Sequence, residues 1–395
     1  MERKVIITKW KDKIVTSVLE DDEVMELHCS NQNSGQEMVH ALGNVYVGRV
    51  RNIVPNIGAA FIEIAPGCEC YYAIAQNEMP VFTHKIGKKP LCIGDELLVQ
   101  ISREASKTKV PTVTSKLEFA GRNVVLTVGN LRIGTSTKLE KERRSELKTL
   151  LEAYQNKRFG LVARTNAKDS SEEEIRNEIE KLIAEFEEIE AIAQSRTCFT
   201  CVRQAPKAYI TDVRNIYGEG LQEIKVEDPD IYEELKQYLQ KEQPQNLEKL
   251  LYYTEPSYSL TKLYSLDSVI EKALKERVWL KSGGYLVIQQ TEALAVIDVN
   301  SGKYVAKKKE DESYLKVNLE AAKEAAKQIR LRNLSGIIIV DFINLERKGD
   351  TQILLKQLKE YLARDPIQTT LVDVTKLHLI EITRKKVRKM LYETV

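Results

Sequence analysis

Two apolar runs that each stop on an aspartate place the tightest limit on the fold. They are Leu294-Ala295-Val296-Ile297-Asp298 and Ile337-Ile338-Ile339-Val340-Asp341. Short, continuous and rich in β-branched residues, they fit strands buried in an α/β sheet. In open α/β sheets, ligands and chemistry gather where such strands end. The interval between the runs has room for a helix and the next strand, so both carboxylates can face one site. A carboxylate beside apolar surface is costly unless it is paired or binds a metal. Mg²⁺ characteristically takes one or two carboxylates and keeps several waters. Asp also commonly begins turns, and the two runs alone do not choose between these readings.

The chain has 395 residues, enough for two to four domains. No apolar run approaches the ~18–20 residues of a membrane span. The start, Met1-Glu2-Arg3-Lys4-Val5-Ile6-Ile7-Thr8, does not read as a signal peptide, so a cytoplasmic protein is expected. With six cysteines and no export signal, reduced thiols are expected. Cys198-Phe199-Thr200-Cys201 is a C-x-x-C, but no second pair follows at zinc-site spacing. It reads as a strand with buried thiols.

The formal net charge is only +2, yet the cations cluster. Lys303, Lys307, Lys308 and Lys309 follow the first acidic run; Arg330 and Arg332 precede the second, and Arg347 and Lys348 follow it. Arg384, Lys385, Lys386, Arg388 and Lys389 crowd the last helix expected. Such clusters beside a carboxylate site fit a polyanionic substrate held through its phosphates. Solvated helix faces are the alternative.

Short strands with turn signals over about 40–118 predict a small β-barrel. Arg49 falls here, and Phe61 on a polar face, Tyr71 and basic neighbours match a stacking platform for single-stranded nucleic acid. Gly43 to Arg49 imitates a P-loop but lacks the Lys-Ser/Thr pair that would hold phosphates. Over 119–209 the pattern turns to strands and two helices. Ser171 and Glu174 predict a capping box ahead of the stripe Ile175, Ile179, Leu182, Phe186 and Ile189. Arg164 and Thr165 end a strand, where a guanidinium and a hydroxyl suit one phosphate. The remainder reads as α/β, with helices expected over 266–279, 313–331, 351–363 and 379–391.

The stretch Thr291 to Ser301, with Asn318-Leu319-Glu320-Ala321-Ala322, Gln328 to Arg332 and Gly336 to Ile343, resembles the ribonuclease E/G family of endoribonucleases. The resemblance implies an α+β and α/β multidomain chain. Residues 1–37 and 210–273 would form a ribonuclease-H-like domain, 38–118 an OB-fold RNA-binding barrel and 119–209 a 5′-end sensor. Residues 274–395 would form a deoxyribonuclease-I-like catalytic domain. Asp298 and Asp341 match the family's metal-binding aspartates, and Asn300 the amide that orients the first. Phe61, Tyr71 and Lys109 match RNA-contacting barrel positions, Tyr71 replacing the usual Phe. Arg164 and Thr165 match the 5′-monophosphate pocket, with Gly121 and Val125 beside it. Gln368 stands where some members carry a supporting Arg. The family's zinc-binding C-x-x-C link lies beyond Val395 and does not align with Cys198 and Cys201. No zinc is therefore expected here, and a homodimer is left open.

The activity implied is Mg²⁺-dependent cleavage of single-stranded, A/U-rich RNA, with Mn²⁺ as the alternative ion. It would leave 5′-phosphate and 3′-hydroxyl ends, be stimulated by a 5′-monophosphate, and serve rRNA processing and mRNA decay. The rival readings are a non-catalytic OB-fold RNA-binding protein and a phosphoesterase acting on small nucleotides.

Overall fold

The computed structural model describes residues 2–31, 39, 41–105, 110–216, 220–255, 257–302, 310–347 and 349–395. The chain forms two compact units, one of residues 1–32 and 219–395 and the other of residues 33–218. Among the described residues, no helix is long and apolar enough to cross a membrane.

The first unit opens with a meander of β1 (Arg3–Trp10), β2 (Lys13–Glu20) and β3 (Glu23–Asn31). The second unit follows. Strands β4 (Val45–Val54), β5 (Ala59–Ala65), β6 (Cys68–Ala73), β7 (Phe82–His84), β8 (Glu96–Arg103) and β9 (Thr112–Thr114) belong to one sheet. Because β4 also pairs with β8, the run β4-β5-β6-β9-β8 closes on itself as a five-stranded, OB-like barrel. Tyr72, Ile62, Leu97 and Val99 fill it.

Next come β10 (Glu118–Ala120), β11 (Val124–Val128), β12 (Gly134–Thr135), α1 (Lys141–Glu152), β13 (Phe159–Ala163) and α2 (Glu172–Ser195). The capping box of Ser171 and Glu174 forms as expected, and Ile175, Ile179, Leu182, Phe186 and Ile189 are buried. The unit ends with β14 (Cys201–Arg203) and α3 (Ala208–Asn215). Only Cys201 of the C-x-x-C lies in a strand. Phe199 sits at φ +73° and Cys198 and Cys201 are half-buried, which corrects the expected buried strand.

Back in the first unit, β15 (Leu221–Val226), α4 (Pro229–Glu242), β16 (Leu250–Tyr252), α5 (Leu260–Leu263) and α6 (Leu266–Leu274) follow. They complete a sheet of order β16-β15-β1-β2-β3. The rest comprises β17 (Arg277–Trp279), β18 (Tyr285–Gln290), β19 (Leu294–Asn300), α7 (Glu310–Leu331), β20 (Gly336–Asp341), α8 (Asp350–Ala363), β21 (Thr369–Val374), β22 (Ile380–Arg384) and α9 (Leu391–Thr394). Its sheet runs β17-β18-β19-β20-β22-β21, with β19 and β20 parallel. One face is buried under α7 and α8 through Leu286, Ile297, Val299, Val317, Ala321, Ile338 and Leu358.

Two expected helices are corrected. The helix over 266–279 stops at Leu274, and Arg277–Trp279 becomes an edge strand, because Val278 and Trp279 pair across to Leu286 and Tyr285. The helix over 379–391 is replaced by β22, where Ile380, Ile382 and Arg384 alternate into the interior between β20 and β21.

Candidate active site and RNA-binding surfaces

Strands β19 and β20 run parallel in a register that pairs Asp298 with Asp341. Period two sends Ala295, Ile297 and Val299 into the core and leaves Val296, Asp298 and Asn300 on the open face. Asp298 is half-buried and Asp341 exposed. Asn300 Nδ2 donates to Asp298 Oδ2 at 2.7 Å, fixing that carboxylate. Among the described residues, neither acid is paired with a cation. Partial burial, then the neighbouring charge of Asp298, holds the Asp341 carboxyl above its ordinary value. Two adjacent carboxylates without a cationic partner among the described residues fit a divalent ion. No third Asp, Glu, His or Cys joins them among the described residues, which leaves the other positions of a Mg²⁺ shell to water.

The turn beyond Asp341 and the β17–β18 turn are clamped from α7. Fully buried Asn318 donates to Ile343 O at 2.7 Å and accepts from Ile343 N at 3.1 Å. Glu320 accepts from Lys281 N at 2.6 Å and Ser282 N at 3.2 Å in the β17–β18 turn. Gly302, at φ +63°, lies so close to the carbonyl of Gly283 that a Cβ would collide with it. Asn318 and Glu320 lie in a stretch that carries the family resemblance, but their clamping role has no signal in the sequence, because what they hold is distant backbone.

On the barrel, Phe61 and Tyr71 are register partners on β5 and β6, both half-buried, with ring centroids 6.4 Å apart in an edge arrangement. Arg49 is ion-paired with Glu96 at 2.7 Å and lies over Phe199 at 5.5 Å. Lys109 lies outside the described residues.

Arg164 and Thr165 follow β13. Arg164 Nη1 donates to Gly121 O at 2.7 Å and Nη2 to Asn215 Oδ1 at 2.8 Å. The Thr165 hydroxyl is 2.8 Å from that of Ser136. Val125 lies on β11, opposite Val162. Glu178 accepts from the backbone N–H groups of Asn123 and Val124, and it lies so close to Gly121 that a Cβ there would displace its carboxylate. Burial raises the Glu178 carboxyl's pKa. Arg143 donates to Ala167 O at 3.0 Å and Ser170 O at 2.5 Å, bracing the turn after Thr165.

With these features in place, comparison with known proteins gives a consistent result. The model of the Ribonuclease E/G family matches residues 118–387. The chain belongs to the ribonuclease E/G family. It is 31% identical over 401 residues to Ribonuclease E of Nostoc sp., covering 100% of this chain and 57% of that protein. Against Ribonuclease G of Haemophilus influenzae it is 30% identical over 363 residues, covering 89% of this chain and 73% of that protein. Against Ribonuclease G of Escherichia coli (strain K12) it is 30% identical over 365 residues, covering 88% and 73%. The chain thus spans little more than half the length of the ribonuclease E it matches.

In this ribonuclease E/G family chain, several cations expected to meet phosphate are instead internal. Arg330, 5% exposed, pairs with Glu20 at 3.0 Å and Glu26 at 2.7 Å. Arg332 is buried and donates to Gln328 at 2.6 Å; burial lowers it to about 10. Arg384 pairs with Asp365 at 2.7 Å, with both side chains buried. These are corrections: helix and strand ends carry the arginines inward, Arg330 and Arg384 to acids that sequence spacing does not reveal and Arg332 to the amide of Gln328. Lys303, Lys307, Lys308, Lys309 and Lys348 lie outside the described residues. Gln368 is exposed just before β21, its carbonyl accepting from Lys385 N.

Proposed function

We propose that the chain is an endoribonuclease that hydrolyses single-stranded RNA with a divalent ion, Mg²⁺ or Mn²⁺, held by Asp298 and Asp341. The observation carrying this reading is the register that sets the two acids side by side with Asn300 bonded to the first, in a chain of the ribonuclease E/G family. A bound ion supplies charge compensation for the scissile phosphate and makes the attacking water more acidic. Asp298 and Asp341 provide the anionic charge that retains it, and Asn300 keeps Asp298 in one orientation. Asn318 and Glu320 keep the flanking turns from relaxing. Attack by water at phosphorus breaks the bond to the 3′ oxygen, leaving a 3′-hydroxyl and a 5′-phosphate.

Phe61 and Tyr71 hold bases by stacking, a contact worth roughly 1–3 kcal/mol per base and tolerant of sequence. Loose selection of unpaired, A/U-rich segments follows. Arg164 and Thr165, with Gly121 and Val125, bind a 5′-monophosphate and exclude a triphosphate. The same reading assigns residues 1–37 and 210–273 to a ribonuclease-H-like domain, 38–118 to the OB-fold barrel and 119–209 to the 5′ sensor. It assigns 274–395 to a deoxyribonuclease-I-like catalytic domain.

The test is cleavage of a short, unstructured, 5′-monophosphorylated A/U-rich RNA with Mg²⁺, beside an EDTA control and Asp298→Asn. Cutting that needs both the ion and Asp298 supports the reading. Tight binding without cutting favours an RNA-binding protein instead. Equal cutting by Asp298→Asn removes these acids from the chemistry.

A further inference from the structure

The open face of the six-stranded sheet carries more than the two carboxylates. Directly opposed residues on neighbouring antiparallel strands share a face. Asn300 opposes Tyr285, and Tyr285 in turn opposes Trp279. Asp298 opposes Val287, which opposes Arg277. The alternate residues Leu286, Ile288, Ile297 and Val299 point into the core on the other side. Arg277, Trp279, Tyr285, Asn300, Asp298 and Asp341 therefore form one continuous strip across four strands.

At the edge of that strip the aromatic residues make a built cluster. Trp279 and Tyr285 lie 5.2 Å apart, ring to ring, tilted at 59°. The Arg277 guanidinium lies 4.5 Å from the Tyr285 ring centre and 5.7 Å from that of Trp279. Trp279 is 64% exposed. The chain's other tryptophan, Trp10, is buried and donates to Asp267 at 2.7 Å. Neighbouring strands are spaced ~4.8 Å apart, which puts the Trp279 position roughly 10 Å from that of Asn300.

We propose that Trp279 and Tyr285, with Arg277, form a nucleotide-binding subsite that stacks an unpaired base next to the phosphate held at Asp298 and Asp341. This rests on the catalytic reading above and names the part of the substrate that this face takes. Two carboxylates repel a polyanion, so the strand needs an attractive contact beside them. An exposed indole offers a π-face that any base can use, and Arg277 adds positive charge where the backbone passes. The occupant is one nucleotide of the cleaved strand, on the side of the cut that faces β17.

Trp279 is also the reporter. Unstructured RNA, bound to the full chain in EDTA, is expected to quench exposed tryptophan fluorescence. Trp279→Ala should abolish that change and weaken binding about 5- to 150-fold, the range of one base stack. Trp279→Phe should retain most of the affinity. An RNA with one abasic nucleotide, moved stepwise across the cut site, should lose the same factor at a single position. Combined with Trp279→Ala it should lose nothing further. The abasic series leaves the protein unaltered, so it decides the matter even if the variant folds poorly.

The subsite is overturned if the parent shows no quenching and every abasic RNA binds alike. It is equally overturned if Trp279 fluorescence shifts with protein concentration in the absence of RNA, which would assign the face to a second copy of the chain. Failure of the catalytic reading looks different: Asp298→Asn would cut like the parent, whatever Trp279 does. Asp298→Asn that is quenched by RNA but does not cut supports both.

Discussion

Asp298 and Asp341 are register partners on adjacent parallel strands, and among the described residues only Asp298 is held by a side-chain amide. The two carboxylates therefore differ in freedom. Asp298 is fixed in advance, while Asp341 is exposed and positioned chiefly by the backbone that Asn318 clamps at Ile343.

Removing the amide should weaken ion binding more than folding. Asn300→Ala is expected to reduce Mn²⁺ affinity by about 10–100-fold, the usual effect of losing a partner that orients a ligand. Titration followed by electron paramagnetic resonance measures it directly, and an unchanged affinity would remove Asn300 from the site.

Asp341 sets the acid side of ion binding. Burial first, and the charge of Asp298 second, disfavour its ionised form, so it holds its proton to higher pH than an ordinary Asp. As pH falls, its charge is lost before the ordinary Asp range is reached, and ion affinity falls with it. Because ionisation opposes folding here, protonation on acidification stabilises the metal-free fold. In Asp298→Asn the burial contribution persists and the Coulombic one disappears. Carboxyl NMR titration of the metal-free protein should show the midpoint moving only part of the way down.

Asn318→Ala leaves both the N–H and the carbonyl of Ile343 without their partner. An expected cost of about 1–3 kcal/mol follows from stranding buried polar groups. Chemical denaturation measures it, and Asn318→Asp, which sets a buried carboxylate against the Ile343 carbonyl, should lose at least as much.

The guanidinium of Arg164 is shared between Gly121 O and Asn215 Oδ1. Arg164→Lys replaces a planar fork with a point charge and cannot serve both. Cleavage of 5′-monophosphorylated RNA should fall to the rate seen with 5′-hydroxyl RNA, which itself should not change. A preserved preference would exclude Arg164 from 5′-end recognition.

Arg330 joins α7 to β2 and β3 through Glu20 and Glu26. Arg330→Ala strands two buried acids and should cost roughly 3–5 kcal/mol in thermal or chemical unfolding. Burial pushes the Glu20 carboxyl up, but its bonds to Arg330 and Arg3 outweigh this and hold it below the ordinary Glu value. The contribution is thus complete above the ordinary Glu range and is lost as pH falls through the lower folded value. Arg330→Ala should flatten that part of the stability curve.

The strand ends bearing Asp298 and Asp341 were legible because unbroken β-branched runs leave little choice of structure. The capping box at Ser171 was legible because cap and stripe are local. Trp279 and Tyr285 escaped notice as a pair because a helix was expected to run through Trp279. An edge strand of three residues has almost no pattern of its own and depends on β18. The clamping role of Asn318 and Glu320 is not legible because their partners are backbone atoms 25 and 39 residues away. Arg330 looked like a phosphate ligand because nothing near it in sequence announces Glu20, 310 residues earlier.

The parallel pairing of Val5 with Ile224 has a consequence for synthesis. Strands β1 to β3 are made before residues 33–218, yet β1 gains its second neighbour, β15, only after that whole unit has been made. Closing so long a loop is slow. The inserted unit can mature while β1 waits with an open edge, a state prone to pairing with other chains. Lys4 and Lys9, which bracket Val5-Ile6-Ile7, supply the charge that discourages such pairing until β15 arrives.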